Sequence, residues 1–386
     1  MTLLTKISSW FDNLVNESYQ TSDLGLALFR MAYALYFLIL GVPLFFWIGN
    51  NPDILFDPPN YSLANFFNGF PPTEVLVLID VLTIILFVFL FFGFKTSWTS
   101  IFLTLLLITG FSFKYSFGKI DHNIIFVILP LVMSQSGWGR KLSLDSISQN
   151  VNSRSSSKKI SNGFPIFIMA LFIGFGYFSA GLVKAPGWLS LDLNSHGVRS
   201  WVMNAYFISD KPALLLPYLI EITNPYFWKL LDITAVIFEL SFLIAVFNKQ
   251  WFKLFIGFGV IFHFANTLMI YIPFISMIVV YLLFIEWENF VKPAITDRIK
   301  KLIKVRYMIV MIVFYLTIYV LLFINNSDTF LGHLSIAELS LSFFIEHEKL
   351  WIDHIVMSLA LLVVLYFGYQ KFMVYEKESN IKKKIP

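Results

Sequence analysis

The sequence predicts an all-α, polytopic integral membrane protein with about ten transmembrane helices, and three observations carry this. The 386 residues are 58% hydrophobic and 18% aromatic but only 13% charged, about half the charge of a soluble globular domain. Mean hydropathy is +0.74. Apolar runs close to the roughly 20 residues that cross a hydrocarbon core recur along the chain. This composition excludes intrinsic disorder, which needs low hydrophobicity and high charge, and an ordinary soluble enzyme.

The runs fall at 25–48, 73–94, 97–116, 121–137, 164–186, 227–247, 251–272, 273–287, 307–325 and 351–370. The fourth and eighth are short, and a hairpin through Pro273 joins the seventh and eighth. Residues 1–24 lack the apolar stretch and cleavage site of a signal peptide. Instead Leu3, Leu4, Ile7, Trp10, Phe11, Leu14 and Val15 recur at helical spacing. That pattern predicts an amphipathic helix, either lying in the membrane interface or packed on the protein itself. Residues 25–290 form the transmembrane core, interrupted by a polar linker at 138–163. Residues 291–386 supply a basic loop, two further spans and a Lys-rich tail. The outer segment 187–226, with Trp188, Trp201, Tyr206 and Tyr218, reads as re-entrant or interfacial structure over the span mouths.

Orientation follows from the basic residues. With the N-terminus cytoplasmic, 20 of the 28 Lys and Arg lie on the inner side, seven on the outer side, and Arg30 lies within a span. The positive-inside bias then places both termini in the cytoplasm of a bacterial cell with a multi-pass inner-membrane protein. The net charge of +4 is thus a topological signal and implies no nucleic-acid partner; the bilayer is the expected one. The chain has no cysteine, so thiolate chemistry and disulfides are excluded. Its six histidines show no ligand spacing on one helix, and no metal is expected. His347-Glu348-Lys349-Leu350-Trp351 fails the zinc-protease pattern at its last position.

Ionisable residues inside spans are costly and mark candidate sites. They are Arg30, Asp80, Asp232 with Glu239 two turns apart on one face, and His263 with Asn266. Each also has a plain reading as an internal ion pair or a helix–helix hydrogen bond. The strongest local signal is Tyr177-Phe178-Ser179-Ala180-Gly181-Leu182-Val183-Lys184. Its small residues allow close helix contact and Lys184 stands at the outer end. That lysine either snorkels to the interface or, held out of water, serves as a neutral base. Asp121-His122-Asn123 opens the fourth span on the same side, as a helix cap or as a second functional patch.

Taken together, these patches resemble the HTTM family of membrane proteins, whose best-known member is the vitamin K-dependent γ-glutamyl carboxylase. The resemblance covers roughly residues 22–290. It rests on Leu28-Phe29-Arg30, on Asp121-His122-Asn123 with the later Ser143-Leu144-Asp145, on Tyr177-Phe178-x-Ala180-Gly181-x-x-Lys184, and on Phe238-Glu239-Leu240-Ser241 followed by Phe262-His263-x-x-Asn266. It implies Lys184 as catalytic base, with His122 and His263 as hydrogen-bonding or oxyanion-stabilising partners. It further implies a pocket with Tyr177, Gly181, Asn123, Glu239, Asn266 and Arg30. The implied cofactors are a reduced quinone (vitamin K hydroquinone or menaquinol) with O2 and CO2. The implied activity is carboxylase-like or quinol-oxidising, with an outward-facing site, and the implied partner is a secreted peptide or protein. Where the carboxylase continues into a β-rich domain, only two spans and the basic tail follow residue 290 here. Two other functions stay open: a non-catalytic helper in maturation, export or immunity of a secreted peptide, and a small-molecule transporter.

Overall fold

The computed structural model describes residues 3–118, 123–152, 162–289, 291–324, 333–342 and 347–382. It is 76% helical. The one sheet among the described residues pairs Val42–Pro43 with His333–Leu334, Val42 facing Leu334. The all-α class therefore stands. In order, the helices are α1 (Leu3–Asp12), α2 (Asp23–Leu40), α3 (Thr73–Phe92), α4 (Thr96–Tyr115), α5 (Ile124–Met133), α6 (Leu144–Asn152), α7 (Gly163–Trp188) and α8 (Gly197–Phe207). They continue as α9 (Leu216–Leu219), α10 (Pro225–Ala245), α11 (Lys249–Ile270), α12 (Ile275–Tyr281), α13 (Pro293–Leu302), α14 (Val305–Ile324), α15 (Ile336–Leu341) and α16 (Glu348–Lys382).

Seven of these are long and apolar enough to cross a membrane: α2, α3, α4, α7, α11, α14 and α16 over Glu348–Tyr366. The chain is a multi-pass membrane protein by that measure. The other three expected spans take different forms. At 121–137 the helix α5 is ten residues long, about 15 Å; it contains Pro130, and Gly137 follows with φ 77°. At 273–287 the apolar helical segment Ile275–Phe284 is equally short. At 227–247, α10 has the length but carries Lys229, Asp232 and Glu239.

The chain divides into two compact units. The first comprises Met1–Ala170 and Val279–Phe344, the second Leu171–Ile278 and Ile345–Pro386. In the first, α2, α3, α4 and α5 pack consecutively, and α14 lies on α3. Local chemistry sets the boundaries. Ser22 caps α2 by accepting from Gly25 N, a preferred use of serine at that position. Gly93, left-handed at φ 64°, closes α3. The N-terminus of α4 is capped from far along the chain: Asp145 accepts from Lys95 N, Thr96 N and Thr96 Oγ1, each at 2.7 Å. Of the amphipathic segment, Leu4, Ile7, Trp10 and Phe11 are exposed while Leu14 and Val15 are buried.

Two buried charges organise the first unit. The Arg30 guanidinium is fully buried and donates to the carbonyls of Trp138, at 2.8 Å, and Leu142. It ties the turn after α5 to α2. The Asp80 carboxylate accepts from Phe45 N at 2.7 Å and Phe46 N at 3.0 Å, and from Tyr319 Oη at 3.2 Å. It anchors the chain leaving α2 and the side of α14 to α3.

In the second unit α10 packs on α11, and α11 on α16, while α8 and α9 cover the ends of α10 and α11. Asn224 and Asn248 cap α10 and α11. Tyr271, left-handed at φ 48°, ends α11, and its hydroxyl donates to Asp353 on α16 at 2.9 Å.

A methyl group on Gly93 would stand 2.4 Å from Ser143 Cβ and 2.7 Å from Arg30 Nη1. At Gly118, also at positive φ, it would meet nothing within 4 Å. Gly118→Ala should therefore cost only the left-handed backbone term, about 1–2 kcal/mol. Gly93→Ala should add an overpacking penalty of about 1–3 kcal/mol. Thermal unfolding of both variants in detergent checks this; equal losses would show that the Arg30 tether yields freely.

Candidate functional site

Among the described residues the buried carboxylates are Asp80, Asp232, Glu239 and Asp353. Asp353 accepts from Tyr271 Oη, and Asp80 serves backbone N–H groups, as does the half-buried Asp145. Asp232 does the same in the second unit, accepting from Gly197 N at 3.0 Å and Val198 N at 2.7 Å. It thereby caps α8, with Lys229 Nζ 3.7 Å away. The Lys229 ammonium also donates to Ser195 O. A carboxylate out of water needs such donors, because an unpartnered buried charge is strongly unfavourable. Asp80, Asp145 and Asp232 are explained by the backbone they hold.

Glu239 is different. Its side chain is 3% exposed, and no backbone N–H reaches it among the described residues. Its Oε1 accepts from Lys184 Nζ at 2.5 Å, and its Oε2 has no hydrogen-bond partner among them. Lys184 is 29% exposed, and its ammonium lies 5.2 Å from the ring centroid of Trp188, a cation–π distance. Lys184 and Glu239 are thus in ion-pair contact, with Glu239 as the buried member and Lys184 as the reachable one.

The pair follows from how α7 meets α10. A Cβ at Gly174 would touch Val246 and Leu243, and one at Gly181 would lie 2.9 Å from Glu239 Cβ. Rising numbers on α7 match falling numbers on α10, so the helices are antiparallel. Glycines seven residues apart let the two approach closely. Tyr177 stacks on Phe242 at 4.1 Å between them, and Lys184, two turns beyond Tyr177, comes level with Glu239. The Tyr177 hydroxyl also reaches Nε2 of His263 on α11 at 2.7 Å. The His263 ring packs 4.5 Å from that of Phe274, and Thr267 Oγ1 donates to the His263 carbonyl.

The expected site residues are therefore distributed as follows. Tyr177, Gly181, Lys184, Glu239 and His263 come together on α7, α10 and α11 of the second unit. Asn266 shares α11, where its carbonyl receives the Tyr271 N–H that closes the helix. Arg30 and Asn123 belong to the first unit, Arg30 bound to backbone carbonyls and Asn123 preceding α5. His122 lies outside the described residues, and so does its expected convergence with Lys184 and His263. Among the described residues no group of three or more His, Cys, Asp or Glu is placed to hold a metal ion. Trp188 is the site residue that sequence reasoning missed. Its signal was available, since a residue four positions after Lys184 shares its helix face.

Fold and site define an all-α, multi-pass membrane protein with a carboxylate–ammonium pair set between close-packed helices. No family model, curated protein or solved structure matches this chain.

Asp232 and Glu239 should differ on substitution. Asp232→Ala leaves two N–H groups without an acceptor, each worth about 1–3 kcal/mol. Glu239→Gln leaves only a partly hydrated ammonium, and the loss of a pair with one exposed member is on the order of 1 kcal/mol or less. Melting temperatures should therefore fall sharply for Asp232→Ala and little for Glu239→Gln. An equal fall would make Glu239 a structural anchor.

Proposed function

We propose that the chain is an HTTM-like membrane enzyme, carboxylase-like or quinol-oxidising, whose working groups are Lys184 and Glu239 with Tyr177 and His263 behind them. The observation that supports this reading is the half-satisfied carboxylate. Among the buried acids described above, Glu239 is the one that keeps an oxygen unengaged beside a reachable ammonium. A carboxylate and an amine in contact can pass a proton between them at little geometric cost, and positioned proton transfer is worth about 10²–10⁴ in rate. The Tyr177–His263 hydrogen bond offers a second proton-handling couple on the neighbouring helix. Its direction depends on the imidazole tautomer.

In this reading Lys184 first passes its proton to Glu239 and then, as the neutral amine, takes the proton of the substrate, so that the regained ammonium balances the charge left on the substrate. Trp188 fixes the ammonium from the other side. A reduced quinone would supply the electrons that O2 accepts, and CO2 would be the group added to a secreted peptide or protein in a full carboxylation. The finer topology belongs to the same proposal. Ten passes, with α5, α10 and Ile275–Phe284 counted as crossings, leave both termini in the cytoplasm of a bacterial inner membrane and put Lys184 on the outer side, as the 20-to-7 bias of Lys and Arg requires.

The test uses full-length protein in detergent with vitamin K hydroquinone or menaquinol and O2, followed by detection of quinone epoxide. Turnover should fall at least about 10²-fold in Lys184→Ala and in Glu239→Gln. Absence of turnover with either quinol, or turnover unchanged in Lys184→Ala, overturns the assignment.

A further inference from the structure

The segment after α7 forms a helix that buries one apolar face and exposes large apolar side chains beside Ser200 and Asn204 on the other. The inner face of α8 buries Val202 and Ala205 against Leu216, Leu219 and Trp228, with Met269 and Ile270 of α11 packed on the same cluster. The outer face leaves Trp201 53%, Phe207 70% and Ile208 77% exposed, and Tyr218 on α9 is 71% exposed. A surface of this kind is rare on a protein face bathed in water.

The segment's depth is set by three contacts. At its start, Gly197 lies against the indole of Trp188, the last residue of the spanning helix α7; a Cβ at Gly197 would come 2.0 Å from Trp188 Cε2. The α8 N-terminus is held there by Asp232, which stands seven residues into α10, about 10 Å from its first residue. At its far end, Leu215 N donates to the carbonyl of Leu268 at 2.8 Å, two residues before the end of the spanning helix α11. Both ends of the segment are thus level with the final turns of helices that cross the bilayer. Its exposed face also continues onto Tyr226 and Leu230 of α10. Exposed Asp210 and Lys211 mark the turn that follows α8.

We infer that α8 and α9 are seated in the boundary between headgroups and acyl chains, with Trp201, Phe207, Ile208 and Tyr218 inserted into lipid. Trp and Tyr favour that layer because an apolar ring and a polar edge each find their medium there. An apolar helix face sinks about 5–10 Å into it, a depth that the Asp232 tether matches. The occupant of the face is the bilayer itself, and the Trp188 ring that packs on Lys184 is braced from the lipid side by a helix in this seat.

The chain has no cysteine, so Ile208→Cys and Tyr218→Cys each create a unique labelling site at a position outside the core. Each full-length variant would be labelled with an environment-sensitive fluorophore and reconstituted into phosphatidylcholine vesicles. Quenching by lipids carrying a nitroxide near the top of the acyl chain should exceed quenching by aqueous iodide several-fold at both positions. It should also exceed quenching by a nitroxide near the chain terminus. Three outcomes overturn the inference: iodide quenching dominates, meaning the face is in water; neither agent quenches, meaning a protein surface such as a second copy covers it; or the chain-terminal nitroxide dominates, meaning the segment crosses rather than lies in the boundary. The readout is depth, so it stands apart from any result on turnover.

Discussion

A carboxylate taken out of water must find hydrogen-bond donors inside the protein, and the architecture of this chain depends on how its buried acids meet that demand. Asp80 holds the two amides that follow α2, Asp145 those that begin α4, and Asp232 those that begin α8. At Asp80 and Asp232 a buried side chain satisfies N–H groups whose loss of an acceptor would cost about 1–3 kcal/mol each, and Asp145 does the same from a half-exposed position. Arg30 is the mirror case, a buried cation distributed over backbone carbonyls. These charged residues hold irregular backbone at the ends of the long apolar helices.

Against that background Glu239 stands out by chemistry rather than by depth. A carboxylate that serves only an ammonium contributes little net stability, since the desolvation of two charges offsets most of their attraction. Keeping one in a closely packed interface therefore needs a reason other than folding, and the proton handling proposed above would be one. The interface is built around the pair: Gly181 leaves room for Glu239, and the stacked rings of Tyr177 and Phe242 fix the register of α7 on α10. Trp188 closes over Lys184 and is itself backed by Gly197. Asp232 and Glu239, two turns apart on α10, thus divide the labour: one positions the covering helix, the other faces the lysine beneath it.

What could be read in advance follows from which signals are local. Periodicity and apolar run length located α3, α4, α7, α10, α11 and α14 to within two residues, because a helix in a bilayer must satisfy its own backbone along its whole length, while α2 stops at Leu40, eight residues short of the run that contains it. The run at 121–137 holds the ten-residue helix Ile124–Met133, with Pro130 inside it and a turn at Gly137 after it, and run length does not register where within it the helix ends. Glu239 and His263 were picked out as intramembrane polar groups, and Tyr177 and Lys184 as parts of one motif at the outer end of a span. Their pairing was not, because partners 55 and 86 residues apart carry no mutual mark in the chain.

The sequence by itself determined the class of protein, the approximate extent of most of its helices and the short roster of polar residues that a membrane would tolerate only for cause. Hydrophobic transfer and backbone satisfaction are properties of contiguous segments, so a single chain states them openly. Only the tertiary structure decided which of those polar residues are anchors and which form a site. That distinction rests on whether a carboxylate meets a distant amide or a distant ammonium, and close packing between helices sets which of the two it meets.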